Sequence, residues 1–120
     1  MTTILHLTPA AYFRAQPDSA PYLPAAFAAD GFIHCTREPE VLLQIANNYY
    51  KRERGDVLVL VIDPAKVKAE VKFEGPNPPP DPSSPLAEVI FPHIYGPLNR
   101  DAIVEIRAAK RTADGTFMSV

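Results

Sequence analysis

At 120 residues, 47% of them hydrophobic, the chain has the size and apolar content of one ordinary globular domain, so we expect a single domain over residues 1–120. Its formal net charge of −2, with histidines neutral, gives no reason to expect a nucleic-acid partner or a membrane surface. The single cysteine, Cys35, excludes an internal disulfide bond. The N-terminus has neither the basic nor the long apolar region of a signal peptide, which predicts a cytoplasmic protein.

The first third of the chain predicts one strand followed by short helices. Residues 3–7 alternate as a strand does. Thr8 is placed to cap a short helix whose first position is Pro9. A second short helix is expected over residues 23–29, after which Asp30 and Gly31 turn the chain into a short strand at 32–35.

A longer amphipathic helix follows that strand. Thr36 can cap its start, and Gly55 can end it. One apolar stripe runs along the helix and consists of Val41, Leu42, Ile45, Ala46 and Tyr49. Thr36 has two compatible interpretations. It is a helix cap alone, or a cap whose helix N-terminus also presents N–H groups to an anion.

The rest of the chain is dominated by strand patterns. The unbroken apolar run at 57–62, rich in β-branched residues, predicts a strand buried on both faces. Alternation predicts a half-exposed strand at 69–74 and a long strand at 102–108, and a short strand is expected at 88–91. Residues 92–97 are interpreted as an ordered turn because of their two prolines, and Asp114-Gly115 as a hairpin turn. Early helices and late strands together favour an α+β domain with a split or bent, antiparallel-rich sheet and two or three helices.

Six of the 14 prolines lie within residues 75–85. Proline fixes φ and lacks an N–H donor, so this segment cannot be helix or central strand, and we expect an internal loop. The loop is either a disordered insert without a role or a rim over a pocket.

Three histidines, His6, His34 and His93, each lie in or beside a predicted strand end. Taken singly, each is explained as a partly buried hydrogen-bonding group. Their similar placement favours a shared site, with His34 and His93 as candidate catalytic residues, because histidine titrates near neutral pH. Cys35 beside His34 is not their nucleophile, because adjacent strand residues point to opposite faces.

Two further residues are candidate ligand contacts. Glu74, at the end of an alternating strand, is either a general acid or base or a solvated strand residue. Tyr95 either stacks on a flat ligand ring or covers the core. No metal site is predicted, because the histidines lack metal-ligand spacing and no second cysteine is present.

The stretches Gly-Phe-Ile-His-Cys-Thr at 31–36 and Phe-Pro-His-Ile-Tyr-Gly-Pro-Leu at 91–98 resemble a bacterial family, domain of unknown function 952. The resemblance extends over nearly the whole chain, through Leu-His-Leu at 5–7, Val-Leu-Val-Ile-Asp-Pro at 59–64 and Lys-Phe-Glu at 72–74. One departure is Thr36, where the family often has serine. Threonine keeps the hydroxyl group.

The family resembles a compact ADP-ribosyltransferase fold, which implies an ADP-ribosylation-like structure with NAD as a possible ligand or substrate. By this resemblance His6 lies near the first-strand histidine or arginine position. The stretch around His34 is similar to the histidine stretch of RNA 2′-phosphotransferases. Diphtheria-toxin-like transferases have a glutamate at the third motif, where this sequence has His93. Glu74 or Glu88 can replace that glutamate only if the fold brings one into the cleft.

The leading hypothesis is a histidine-lined pocket for a nucleotide-like ligand, such as NAD, ADP-ribose or a phosphorylated ribose. His34 and His93 then transfer protons or bind phosphate, and His6 and Tyr95 hold the ribose and base. Thr36 and Glu74 complete the set of ligand contacts. The alternative is a non-catalytic interaction module in which the histidines are structural. The substrate and the oligomeric state stay open.

Overall fold

We describe residues 2–120 in a computed structural model of the chain. The strands are β1 (Ile4–Pro9), β2 (Ile33–His34), β3 (Val57–Ile62), β4 (Val71–Glu74), β5 (Phe91–Ile94), β6 (Ile103–Ala108), β7 (Lys110–Arg111) and β8 (Phe117–Ser119). The α-helices are α1 (Ala10–Ala15), α2 (Phe27–Asp30) and α3 (Pro39–Tyr49). The predicted α+β class with antiparallel sheets is confirmed.

The first sheet has the strand order β1-β3-β6, with antiparallel pairs throughout. Its central strand β3 is buried at all six positions, as the unbroken apolar run predicted. One face, including Leu5 and Leu7 of β1, packs against α3. The other face, including Ile4 and Leu60, packs against α1, Tyr22 and the second sheet. The first sheet is therefore the middle layer of the molecule.

The second sheet has the strand order β2-β5-β4 and is also antiparallel. The chain leaves it at Cys35 and reaches the first sheet one residue later. There Thr36 and Leu5 exchange two backbone hydrogen bonds, of 2.7 and 2.8 Å. Residues 33–36 thus hydrogen-bond to both sheets, and this segment fixes where β2 lies relative to β1.

The interpretation of residues 92–97 as a turn was wrong, because Pro92 lies in β5, the central strand of the second sheet. A proline is tolerated there because β2 is only two residues long and ends opposite it. The carbonyl of Pro92 still accepts the Cys35 N–H at 3.0 Å. His93 consequently lies inside a strand and not after one.

Two predicted helix caps were also wrong. Thr8 lies within β1, and its hydroxyl accepts a hydrogen bond from Tyr22 at 2.7 Å. Thr36 is buried in the bridge between the sheets, and α3 begins after Glu38, with no side-chain cap. Helix α3 ends at Tyr49, earlier than Gly55. In each case a backbone pairing that local sequence does not reveal replaces the expected cap.

Residues 75–90 contain no helix or strand and connect β4 to β5. The proline content predicted the part of this loop at 75–85. The strand expected at 88–91 was wrong, because only Phe91 of that range lies in a strand, β5. The hairpin turn at Asp114-Gly115 is confirmed by the antiparallel pairing of β7 and β8. Within residues 2–120, no helix is long and apolar enough to cross a membrane.

The β7–β8 hairpin is held against the end of α3 by Arg111. Its guanidinium group donates to the carbonyl oxygens of Gly55, Tyr50 and Lys51 at 2.7, 3.3 and 3.1 Å. Gly115, in the hairpin turn, has φ +93°, and a Cβ at this position would collide with the Lys51 carbonyl oxygen.

Replacing Gly115 with alanine should therefore lower the free energy of unfolding by roughly 2–4 kcal/mol, through left-handed backbone strain plus the collision. Gly55 has a similar φ of +81° but open space around it, so Gly55→Ala should cost only about 1–2 kcal/mol. Urea denaturation of both variants measures the difference. Equal losses would show that the hairpin does not lie against α3 as described.

Candidate functional site

His34 and His93 are direct cross-strand partners on β2 and β5. Next to this pair, the Cys35 N–H donates to the Pro92 carbonyl, so His34 and His93 themselves form a non-hydrogen-bonded pair. Opposing side chains lie closest in pairs of this type. The two ring centroids are 5.8 Å apart. Their neighbours Ile33 and Ile94 point into the core, so the histidines occupy the opposite face of the second sheet.

Each of these imidazole rings is held by its own carboxylate. Nε2 of His34 donates to Asp30 Oδ2 at 2.8 Å, and Nδ1 of His93 donates to Glu74 Oε1 at 2.9 Å. A carboxylate accepts hydrogen bonds, so each contact places a proton on a defined ring nitrogen. Nδ1 of His34 and Nε2 of His93 make no hydrogen bond within residues 2–120.

Glu74 also accepts a hydrogen bond from the Tyr95 hydroxyl at 2.5 Å. This bond, followed by the one from His93, lowers the pKa of Glu74 below its usual range. The same contact raises the pKa of Tyr95. Glu74 is thus an ionised acceptor at neutral pH, and it aligns His93 and Tyr95 on one face of the sheet.

Phe32 fills the space between these groups. Its ring stacks on His93 with centroids 4.1 Å apart, and it lies 4.5 Å from His34 and 5.4 Å from Tyr95. Lys72 brings a positive charge to the same face, with Nζ 4.9 Å from the centre of the Tyr95 ring. We call these seven side chains the histidine face: Asp30, Phe32, His34, Lys72, Glu74, His93 and Tyr95.

His6 approaches this assembly from the interior. Its Nδ1 donates to the backbone carbonyl of His34 at 2.6 Å, which requires the Nδ1–H tautomer because a carbonyl oxygen can only accept. Burial lowers the pKa of His6 to about 4, so its ring is neutral near pH 7. Its Nε2 is buried and has no hydrogen-bond partner among the described residues.

Thr36 and Cys35 are also interior residues. Thr36 is buried at the junction of the two sheets, and its backbone N–H and carbonyl both bond to Leu5. Cys35 is a buried free thiol whose pKa is strongly raised by burial. The expected separation of Cys35 from His34 therefore holds, and the thiol is not a nucleophile for this site.

The structure brings together four of the six predicted site residues, His34, Glu74, His93 and Tyr95. It places His6 behind the backbone of β2, where its ring bonds to the His34 carbonyl, and Thr36 at the junction of the two sheets, so neither side chain lies on the histidine face. Of the two candidate glutamates only Glu74 reaches His93, through the bond described above.

Sequence reasoning missed Asp30, Phe32 and Lys72. Strand alternation held the signal for two of them. Phe32 lies two residues before His34, and Lys72 lies two residues before Glu74, so each shares a strand face with a predicted residue. Asp30 carried no such signal, because its contact with His34 depends on the turn at Gly31, where φ is +80°.

The histidine face is an open surface. The His34 side chain is 44% exposed, whereas Phe32 and His93 are buried by the groups around them. Two open depressions, of about 870 and 450 Å³, lie elsewhere and contain none of the predicted site residues. Within residues 2–120, no group of three or more potential ligands is arranged to hold a metal ion.

Comparison with known proteins gives a family for this chain. Residues 7–106 match the family described as "Protein of unknown function (DUF952)". The chain belongs to this family. The predicted membership is thereby confirmed. No curated protein matches the chain.

Solved structures of another protein, CC0527 from Caulobacter crescentus, are similar to this DUF952 chain. The crystal structure of CC0527 is 21% identical in sequence, covers 98% of this chain and 94% of its own, and has a TM-score of 0.77. Its solution NMR structure is 23% identical in sequence, covers 98% of this chain and 93% of its own, and has a TM-score of 0.66. At this level of identity the likeness shows a shared fold.

The buried, neutral His6 predicts a pH dependence of stability. Its folded-state pKa is depressed from 6.5 to about 4, so the unfolded chain binds a proton that the folded chain does not. The stability that the neutral His6 contributes is fully present above pH 6.5. As the pH falls towards 4, the free energy of unfolding decreases by roughly 3 kcal/mol in total.

Urea denaturation between pH 7.5 and 5 measures this effect, in a window above the titration of the carboxylates. His6→Asn, which keeps a donor near the Nδ1 position, should flatten the profile. His34→Ala is the control and should retain the slope. An unchanged slope in the His6 variant would contradict the buried, neutral assignment.

Proposed function

We propose that the histidine face binds a nucleotide-like ligand that carries a phosphorylated ribose, with His34 and His93 transferring protons or binding phosphate. The observation that supports this most strongly is the cross-strand pair of histidines, each anchored to its own carboxylate. The two rings lie side by side, and each carboxylate fixes the proton on one nitrogen of its ring. They also leave one nitrogen of each without a partner in the described part of the chain.

Proton transfer by this pair follows from the hydrogen bonds. When neutral, His93 carries its proton on Nδ1, towards Glu74, so its Nε2 is a free acceptor. When protonated, the same Nε2 becomes a donor to a phosphate or a leaving oxygen. His34 has the mirrored arrangement, with Nδ1 as the free nitrogen. One neutral and one protonated ring can act as base and acid, each contributing roughly 10²–10⁴ in rate.

The surrounding residues suit an anionic ligand with a ring. Lys72 supplies a fixed positive charge beside the histidines, and Tyr95, half-exposed, offers an aromatic face. A lysine ammonium group can pair with a phosphate, and an aromatic ring can pack against a base or a sugar. We therefore keep Tyr95 and Glu74 as ligand-face residues. His6 enters the proposal as the support of the His34 backbone, with Thr36 beside it.

The family resemblance adds an enzymatic version of this proposal, an ADP-ribosyltransferase-like or phosphoribosyl-processing activity with NAD or ADP-ribose as the ligand. In this version Glu74 is the acidic group at the reaction centre, because it is the glutamate that contacts His93. The ADP-ribosylation-like fold itself stays a prediction.

The competing function is a non-catalytic interaction module with structural histidines. The observation that favours it is the burial of His6 and His93, each hydrogen-bonded within the protein. His34 separates the two functions, because its side chain is half-exposed. A structural His34 stabilises the fold, whereas a functional His34 binds ligand.

Titration with ribose 5-phosphate, ADP-ribose and NAD, followed by histidine NMR shifts, tests the proposal. We expect at least one ligand to move the His34 and His93 ring signals while leaving the buried His6 signal in place. His34→Ala should weaken that binding at least about tenfold, the size of one lost charge-assisted hydrogen bond. It should change the free energy of unfolding by less than about 0.5 kcal/mol, as at other exposed sites.

Tyr49→Ala provides a matched control, because Tyr49 is an exposed ring outside the histidine face. This variant should bind as the parent protein does. If none of the three ligands moves His34 or His93, the binding proposal fails. If His34→Ala costs about 1–3 kcal/mol of stability, the structural alternative is correct.

A further inference from the structure

Strand β6 is an unprotected edge of the first sheet. It pairs with β3 on one side, and no other strand among the described residues pairs with its outer side. Two of its apolar side chains, Val104 and Ile106, are 41% and 51% exposed. They line an open groove of about 450 Å³ next to Phe13 and Arg100. Exposed, apolar edge strands invite pairing with another strand.

The hydrogen bonds of β6 show which backbone groups are free. The Ala109 N–H donates to the Val57 carbonyl at 2.9 Å, and this bond lies next to the cross-strand pair Leu58–Ala108. That pair is therefore non-hydrogen-bonded, and by alternation so is the pair Leu60–Ile106. The N–H and C=O groups of Ile106 and Ala108 consequently point away from β3, towards solvent.

Only certain antiparallel registers between two copies of β6 use these outward groups. Three of these registers place the twofold axis within the charged stretch, at residue 105, 106 or 107. An axis at 105 places Glu105 opposite Glu105, and an axis at 107 places Arg107 opposite Arg107. An axis at Ile106 places Glu105 opposite Arg107 on both sides and joins the two Ile106 backbones by a pair of hydrogen bonds. Like charges directly opposite destabilise a sheet and opposite charges stabilise it, so the axis at Ile106 is selected.

We propose that this chain forms a twofold-symmetric dimer in which β6 of one copy pairs antiparallel with β6 of a second copy, with Ile106 on the axis. The two first sheets then form one continuous six-stranded sheet. Glu105 and Arg107 already form an ion pair within each chain, at 2.9 Å, and the dimer exchanges these two pairs for two pairs between chains. The register irregularity of β6 lies at its start, between the partners of Val61 and Ile62, so residues 105–108 stay regular.

Sedimentation equilibrium of the full chain tests the dimer, and charge reversal tests its register. Glu105→Arg and Arg107→Glu each place like charges opposite one another twice, so each should raise the dimer dissociation constant about tenfold or more. The double variant Glu105→Arg with Arg107→Glu restores both opposite pairs and should return the dissociation constant to near that of the parent chain.

A backbone variant gives an independent readout. Ile106→Pro removes an N–H that β3 does not use, so the monomer should fold, as circular dichroism would show, while the dimer is lost. A chain that is monomeric at all concentrations, or a dimer that neither charge reversal weakens, would overturn the proposal. A dimer that the single changes weaken and the double change does not restore would overturn the Ile106 register.

Discussion

The arrangement of this protein depends on residues 33–36, which belong to both sheets at once. Ile33 and His34 pair with β5, and Thr36, two residues later, exchanges two backbone hydrogen bonds with Leu5 of β1. Successive side chains of a strand point to opposite faces of the sheet, so a register shift of one residue would move Ile33 out of the core and His34 into it. The fully buried Ile33 therefore fixes the direction in which His34 points.

The histidine face follows from this constraint. With His34 and His93 directly opposite each other, strand alternation adds Phe32 and Tyr95 on the same side, and the pairing of β4 with β5 adds Glu74. His6 supports the arrangement from the interior by donating to the carbonyl of His34, the group that the non-hydrogen-bonded pairing turns away from β5. One interior histidine thus supports the strand that presents another histidine to solvent.

Local sequence was sufficient for some of this structure and insufficient for the rest. The run at 57–62 predicted a buried strand correctly, because a short, continuous apolar run rich in β-branched residues suits a strand buried on both faces. Pro92 was misassigned to a turn, because its place in a central strand depends on the short partner β2, which local patterns do not show. The motifs identified His34 and His93, but the contacts from Asp30 and Glu74 depend on the register between strands and on the turn at Gly31. The predicted helix cap at Thr36 was wrong for the same reason, because a long-range backbone pairing with Leu5 replaces the local capping hydrogen bond.

The carboxylates of the histidine face fix the protons on the His34 and His93 rings. The ¹⁵N chemical shifts of the histidine rings at a pH where all three are neutral test it directly. We expect the Nδ1–H tautomer for His93 and His6 and the Nε2–H tautomer for His34. Glu74→Gln should alter the His93 signals alone. A rapidly averaging mixture of tautomers at His34 and His93 would contradict the ordered pair on which the proposed function rests.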